Sequence, residues 1–217
     1  MPRESGAPPL DPPHDCPLCP RLVTYRHEQR TKHPDWHNAP VPTFGDVQSA
    51  SVLVVGLAPG VAGANRTGRP FTGDYAGDLL YQTLTTYGFA DGTFDARPDD
   101  GLRLVDLAVT NAVRCVPPQN KPVGAEINAC RPFLVTTIEA MPRLKVILAL
   151  GRIAHDATLR TLGLVLARHP FKHGARHETG SIALFDSYHP SRYNVNTGVL
   201  TAEMFAGVIA GVRAALP

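Results

Sequence analysis

One short apolar run in the sequence passes directly into a long loop that is rich in glycine. The run extends from Ser51 to Leu57, and it is uncharged and β-branched, as is typical of a strand buried on both faces. The loop from Gly56 to Asp74 holds five glycines, two prolines and two arginines and ends in an aspartate. Open α/β sheets bind ligands in loops at the carboxyl ends of parallel strands. The stretch therefore predicts a buried strand followed by a binding loop.

The loop matches neither of two common phosphate-binding motifs. A P-loop ends in Gly-Lys-Ser/Thr, and the dinucleotide fingerprint requires Gly-x-Gly-x-x-Gly. No lysine occurs between Gly56 and Asp74, and the first glycines are Gly56, Gly60 and Gly63. The glycines indicate a backbone that approaches a bound group closely, and the arginines indicate an anion. The alternative is a connecting loop whose glycines only form turns, but connecting loops of this length are uncommon.

Strand-like and helix-like segments alternate along the rest of the chain. Apolar runs predict further strands at residues 103–113, 144–151 and 182–185, and apolar periodicity predicts helices at residues 19–36, 75–87, 126–141, 153–162 and 198–215. This alternation favours an α/β fold with a mainly parallel sheet of about four strands and helices on both faces. We expect a flexible N-terminal segment at residues 1–13 and a single domain at residues 14–217, which is long enough for a full core.

The overall charge limits the ways in which the chain can bind a partner. A net charge of +2 excludes a broad basic surface, so any affinity for nucleic acid must come from a local cluster of arginines. The sequence has no apolar stretch of transmembrane length, and residues 1–13 have no hydrophobic signal region. We therefore expect a cytoplasmic protein without membrane association, and we expect a monomer.

The four cysteines are spaced as metal or cluster ligands often are. Cys16 and Cys19 form a Cys-x-x-Cys pair, and Cys115 and Cys130 follow far downstream. In a cytosolic chain this pattern is more typical of metal ligands than of disulfides. Zinc and an iron–sulfur cluster both accept four thiolates, and the spacing does not choose between them. Four unrelated buried thiols, or a redox pair with two spectators, are the alternatives.

Three loops that follow predicted strands hold most of the unusual side chains. They are residues 56–74, 111–122 and 188–194, and a parallel sheet would bring them to one edge. Their chemistry suits a planar heterocycle on a phosphate backbone, because amides recognise base edges, rings stack on bases and cations hold phosphates. The side chains are the carboxylate of Asp74, the amides of Asn111 and Asn120, the imidazole of His189, the ring of Phe71, and the cations Arg66, Arg69, Arg114, Lys121 and Arg192.

Four motifs in these loops resemble those of the family 5 uracil-DNA glycosylases (UDGb type). The resemblance extends from Cys16 to about Thr201. The motifs are Gly56-Leu-Ala-Pro-Gly60, Arg66-Thr-Gly-Arg-Pro-Phe-Thr-Gly-Asp74, Ala112-Val-Arg-Cys-Val-Pro-Pro-Gln-Asn-Lys-Pro122 and His189-Pro-Ser191.

The resemblance implies a three-layer α/β/α fold and an enzyme that hydrolyses the N-glycosidic bond of uracil in DNA for base excision repair. Its partner would be DNA that contains uracil or other deaminated bases. The four cysteines resemble the ligands of that family's [4Fe–4S] cluster, which would be structural and not catalytic.

The resemblance also assigns roles to individual residues. Asp74 takes the position of the carboxylate that orients the attacking water, His189 lies beside the leaving base, and Asn120 is the amide implicated in base recognition or catalysis. Phe71 would stack on the flipped base. The other predicted substrate-binding residues are Gly56, Leu57, Ala58, Gly60, Asn111, Arg192 and Tyr193, of which Tyr193 would fill the gap that the base leaves.

Two positions depart from related glycosylases. In the first motif, family 4 enzymes usually have glutamate at the position where this chain has Leu57. Leucine cannot accept a proton, so the nearest candidate base in the motif loops is Asp74. At the position of Asn111, family 4 enzymes have a similar asparagine, which recognises uracil. Some family 5 members have alanine there instead.

Each assignment has a structural alternative. Asp74 can cap the helix that follows it, with or without a catalytic role. Asn120 can fix a turn, and Asn111 can satisfy backbone groups at a strand end. Phe71 can be a core residue, and His189 a structural histidine.

Two other functional classes also remain open. A cluster- or zinc-bearing module that binds nucleic acid without catalysis would keep the arginines and Phe71 but would not need Asp74 and His189. An enzyme that acts on free nucleotides is the third hypothesis.

Overall fold

The elements of the structure follow the alternating order that the sequence predicts. The computed structural model describes residues 9–216, so residues 1–8 of the predicted flexible segment lie outside the described range. In chain order the elements are α1 (Pro20–Lys32), β1 (Val52–Gly56), α2 (Ala64–Thr67), α3 (Tyr75–Thr86), β2 (Ala90–Asp91), β3 (Arg103–Leu104), β4 (Leu107–Asn111), α4 (Gly124–Glu139), β5 (Val146–Leu150), α5 (Arg152–Thr161), β6 (Arg176–Glu178), β7 (Ala183–Ser187), α6 (Arg192–Asn196) and α7 (Ala202–Ala214).

The main sheet has the strand order β4-β1-β5-β7-β6. The first four of these strands are parallel, and they are the four predicted strands. Every residue of these four is buried, which explains why they are continuously apolar rather than alternating. The edge strand β6 is antiparallel to β7, and it escaped prediction because Arg-His-Glu lacks an apolar pattern.

Helices cover both faces of the sheet, which confirms the three-layer α/β/α fold. On one face, α3 and α7 pack through residues such as Leu80 and Phe205 against Val54 and Leu148. On the other face, α4 and α5 pack against the alternate strand residues, such as Ile147. No helix within residues 9–216 has both the length and the apolarity to cross a membrane.

Several predicted boundaries differ from the structure. The strand predicted at 103–113 is divided into β3 and β4 at Asp106, whose φ of 54° interrupts extended backbone. The helix predicted at 198–215 begins only at Ala202, because the Thr201 side chain accepts a hydrogen bond from the Met204 N–H at 3.1 Å and caps it. Packed structure also extends N-terminal of residue 14, since Leu10 contacts the core.

Two arginines that the sequence analysis assigned to anion binding are instead buried in ion pairs. Arg69 makes a two-pronged pair with Asp100 at 2.7 and 2.8 Å, and Arg114 donates to Asp11 at 2.8 Å. Their side chains are only 5% and 1% exposed, so neither can hold a phosphate. The Arg69 guanidinium also lies 5.2–5.7 Å from three aromatic rings, those of Phe44, Tyr81 and Phe94.

Replacing Asp100 by asparagine should destabilise the fold. The hydrogen bonds from Arg69 hold the pKa of Asp100 well below its usual range, so the pair contributes fully at neutral pH and is lost only as pH falls through that low pKa. Removing one partner of a buried pair costs about 3 kcal/mol, which for a chain of this size lowers Tm by roughly 6 to 12 °C.

The matched control is Asp91→Asn, because Asp91 pairs with Arg103 on the surface, where the two side chains are 65% and 77% exposed. Such a pair contributes at most about 1 kcal/mol. Thermal unfolding followed by circular dichroism compares the two variants at pH 7, and equal Tm values for both would contradict the structural role of the Arg69–Asp100 pair.

Candidate active site

A cavity of about 570 Å³ opens at the carboxyl edge of the sheet, where the three predicted loops meet. All three predicted catalytic residues line it, as do six of the predicted substrate-binding residues. The lining residues are Leu57, Ala58, Pro59, Gly60, Ala62, Ala64, Phe71, Gly73, Asp74, Tyr75, Ala76, Asn111, Asn120, His189, Ser191 and Arg192. Two predicted residues, Gly56 and Tyr193, are not part of the lining.

The Asp74 carboxylate caps a helix and faces the cavity at the same time. Asp74 is the N-cap of α3, and its Oδ1 accepts the Gly77 N–H at 3.3 Å. Its other oxygen, Oδ2, would lie 3.2 Å from a Cβ at Gly60, and its Cγ would lie 3.0 Å from a Cβ at Gly63. The two glycines therefore make room for the carboxylate, and the capping and site hypotheses are compatible.

Burial makes the ionised form of Asp74 less favourable than in water. Loss of solvent raises the pKa of Asp74 above its ordinary value, and the N–H groups of Gly77 and Ala76 oppose this rise only in part. A carboxylate with a raised pKa accepts a proton more readily than an exposed one. The position therefore suits a general base.

Phe71 has a strained backbone and forms one wall of the cavity. Its φ of 51° lies in the left-handed region, which is rare for a bulky residue. A Cβ at Gly56 would lie 2.6 Å from the ring carbon Cζ and would also crowd Asn111 Oδ1. The absence of a side chain at Gly56 therefore leaves the space that the Phe71 ring occupies. Phe71 is 6% exposed and packs in the core, as the structural alternative expects, and its ring also lines the cavity.

The Asn111 amide enters the cavity from the end of β4, where the residue is paired in register with Gly56. Asn111 is only 3% exposed, yet its side chain makes no hydrogen bond to another residue between 9 and 216. A buried amide without a protein partner is costly unless it binds a ligand or water. The alternative that Asn111 satisfies backbone groups is therefore not supported.

His189 is held firmly and remains neutral. Its carbonyl accepts hydrogen bonds from Asn194 Nδ2 at 2.9 Å and from the Ser191 N–H at 2.8 Å. Its ring lies 5.8 Å from the Phe71 ring, centroid to centroid. Burial lowers the pKa of His189 to about 4, so at neutral pH one ring nitrogen carries a proton and the other does not.

The rim of the cavity is polar and exposed. Asn120 is exposed and has a φ of 57°, as does its neighbour Gln119, so Asn120 both forms a turn and reaches the cavity. The Arg192 guanidinium lies 5.6 Å above the Tyr75 ring. Tyr193 is 74% exposed, next to Arg192.

Three of the five cations named above remain accessible, namely Arg66, Lys121 and Arg192. Seven lining residues were not among the predicted site residues, namely Pro59, Ala62, Ala64, Gly73, Tyr75, Ala76 and Ser191. Ser191 was already part of the His-Pro-Ser motif, and Tyr75 directly follows Asp74, so both carried a signal of position.

The four cysteines converge at a second, small cavity, which also includes Leu22 and Phe133. They come from the segment before α1, from the loop after β4 and from α4. Burial raises the pKa of Cys19 to about 11 and that of Cys115 to about 12. Thiolates in such a position need a cationic centre.

Two nitrogen donors lie near the sulfurs. The Arg114 backbone N–H donates to Cys130 Sγ at 3.3 Å, and Arg26 Nη1 lies 3.8 Å from Cys115 Sγ. Such donors suit thiolates that bind a zinc ion or an iron–sulfur cluster.

The main cavity thus combines a desolvated carboxylate, a neutral imidazole, an unpaired amide and an aromatic wall. This set of groups can bind a flat polar ring and activate water beside it.

Known proteins give an independent comparison. The model of the Uracil DNA glycosylase superfamily matches residues 42–213. A Type-5 uracil-DNA glycosylase from Thermus thermophilus is 46% identical over 201 residues, which cover 89% of this chain and 90% of the relative. Another from Pyrobaculum aerophilum is 40% identical over 90% of this chain and 86% of the relative. A Type-4 enzyme from the same organism is 36% identical over only 57% of this chain. The chain therefore belongs to the uracil-DNA glycosylase superfamily, within its type-5 family.

Proposed function

We propose that the chain is a DNA glycosylase that hydrolyses the N-glycosidic bond of uracil, and of other deaminated bases, leaving an abasic site for base excision repair. The observation that carries the proposal is the placement of the partly buried Asp74 carboxylate and the neutral His189 imidazole in one cavity. A module that only binds DNA would have no use for a desolvated carboxylate, whose burial is unfavourable.

The chemistry begins with a nucleotide flipped out of the duplex, because the C1′ atom is inaccessible inside the stack. Flipping costs a few kcal/mol, and less for a mispaired base. As the C1′–N1 bond lengthens, the sugar gains positive charge and the base gains negative charge. The enzyme must therefore place a carboxylate near the sugar and donors near the base.

Asp74 orients the attacking water and takes a proton from it. The water oxygen bonds to C1′, the C1′–N1 bond breaks, and its electron pair leaves with the base as an anion. The carboxylate also stabilises the positive sugar. Leu57, which lines the same cavity, has no proton acceptor, so this role falls to Asp74.

His189 stabilises the leaving base as a neutral donor. With its pKa lowered to about 4 by burial, the ring carries a single proton at pH 7, and that N–H can donate to uracil O2. A neutral imidazole stabilises the uracil anion through a hydrogen bond, so its own charge stays the same when the base leaves. The Phe71 ring offers the platform for the flipped base.

Asn111 is the proposed reader of the base. An amide can donate to uracil O4 and accept from N3–H, whereas cytosine presents the opposite groups at both positions. That reversal would leave buried polar groups unpaired, which is a strong form of discrimination. Asn120 lies at the rim of the cavity and would supply a second amide.

Cys16, Cys19, Cys115 and Cys130 would hold a [4Fe–4S] cluster. Its proposed contribution is structural, since it would join α1, α4 and the loop that carries Asn120. Protein contacts support this role, because Arg21 lies two residues after Cys19, pairs with Glu126 at 2.7 Å and donates to the Lys121 carbonyl at 3.1 Å.

The DNA backbone would contact the exposed cations at the rim. Arg66, Lys121 and Arg192 are the accessible members of the predicted set, and cations of this kind position DNA through its phosphates. Tyr193, which is 74% exposed, would enter the stack where the base leaves. A monomer is sufficient for this function, since the cavity is built from one chain.

Asp74→Asn should abolish most activity without lowering stability. A positioned base contributes about a hundredfold or more to the rate, whereas asparagine caps helices as well as aspartate does. Since the pKa of Asp74 is raised by folding, its ionisation opposes folding at pH values above 3.8, so the variant should match or exceed the wild-type Tm at pH 7.

Single-turnover cleavage of uracil-containing DNA and thermal unfolding measure the two effects. The matched control is Asp78→Asn, in the first turn of the same helix but outside the cavity. Near-normal rates for Asp74→Asn would remove the residue from the mechanism.

Asn111→Ala should change selectivity more than it changes catalysis. We expect uracil excision to fall at least tenfold while excision of hypoxanthine falls less, because the lost hydrogen bonds are specific to uracil. Both rates are measured on otherwise identical duplexes, with Asn196→Ala, exposed and outside the cavity, as the control. An equal loss for both bases would show that Asn111 does not recognise uracil.

Cys130→Ala should give a colourless and poorly soluble protein with less iron per chain than wild type, because the cavity cannot hold a cluster with three ligands as firmly. Iron analysis and visible absorbance provide the measurement. A brown, stable variant with wild-type iron content would exclude Cys130 as an essential ligand.

A further inference from the structure

A buried aspartate on β7 bridges two histidines from other elements, away from the cavity. Asp186 is fully buried. Its Oδ1 lies 2.6 Å from Nδ1 of His155 on α5, and its Oδ2 lies 3.0 Å from Nε2 of His177 on β6. None of the three residues lines the active-site cavity, so the proposed glycosylase chemistry does not account for them.

Hydrogen bonding fixes which nitrogen of His155 faces the aspartate. The other nitrogen, Nε2, lies 2.8 Å from the His169 carbonyl oxygen, which can only accept, so Nε2 carries a proton. In the neutral ring, Nδ1 then presents a lone pair to the Asp186 carboxylate. At 2.6 Å the two atoms share a proton in a short hydrogen bond. A metal ion would replace that proton and hold the two atoms about 3.3 Å apart.

The arrangement offers the ligand types of a metal site, close enough together for a small movement to enclose an ion. One ligand atom from each of His155, His177 and Asp186 lies within 4.8 Å of the other two. Histidines that bind metals donate their second N–H to a carbonyl or carboxylate, as His155 does. Imidazole and carboxylate are common zinc ligands, and a water can occupy a fourth position. The His177 side chain, 11% exposed, provides the route of entry.

We propose that His155, His177 and Asp186 form a binding site for one divalent ion of the zinc type. The ion would join α5, β6 and β7 at the edge of the sheet. The neighbouring loop is attached to the same place, because the Lys172 N–H lies 3.3 Å from Asp186 Oδ2 and the Tyr188 N–H donates to His173 Nδ1 at 3.1 Å. The site would therefore steady the segment that leads to His189.

Zinc binding to the cluster-loaded protein tests the proposal. The variant is His177→Gln, whose amide can still hydrogen bond to Asp186 and so preserves the fold. The control is His27→Gln, because His27 is exposed on α1. Zinc is titrated against a chromophoric chelator, and Tm is measured with and without zinc. Because all three proteins keep the four cysteines, any zinc that binds there cancels in the comparison.

We expect wild type and His27→Gln to bind one zinc ion more per chain than His177→Gln. At free zinc a hundred times the dissociation constant, their Tm should rise by roughly 5 to 10 °C, while that of His177→Gln should not. Equal zinc content in all three proteins, or no rise in the wild-type Tm, would show that only a proton lies between His155 and Asp186. Either result would overturn the proposal.

Discussion

The Asp74 carboxylate lies in the cavity at the start of α3, and two glycines of the surrounding loop make room for it. The N-terminal N–H groups of the helix stabilise the negative charge, while burial raises the pKa of the carboxyl group. Any side chain at Gly63 would collide with it. The glycine content of the loop thus has a steric cause, and the reactive state of the carboxylate has an electrostatic one.

The sheet determines where the other groups meet this carboxylate. Parallel pairing of β1 with β4 sets Gly56 beside Asn111, and the missing side chain at Gly56 leaves room for the Phe71 ring. The end of β7 supplies His189 from the same edge. The cysteine region lies outside the cavity. It contacts the loop after β4 and helix α4 through Arg21, which donates hydrogen bonds to the Lys121 carbonyl and to Glu126.

Local sequence was sufficient to predict the four parallel strands, the flanking helices and most of the cavity lining, because each depends on apolar patterns or on motifs of adjacent residues. It was insufficient where the partner is distant in sequence. Arg69 and Arg114 looked like phosphate ligands until the fold brought Asp100 and Asp11 to them. His155, His177 and Asp186 have no spacing that predicts a site.

Base release from DNA carrying a single uracil is the most direct test of the proposed activity. The substrates are that oligonucleotide, its thymine counterpart and free deoxyuridine, each incubated with the purified protein and followed by alkaline cleavage or base detection. We expect free uracil and strand breakage at the uracil position only, with no reaction of thymine DNA or the free nucleoside. An intact uracil strand after incubation with folded protein would contradict the glycosylase function and favour a binding role.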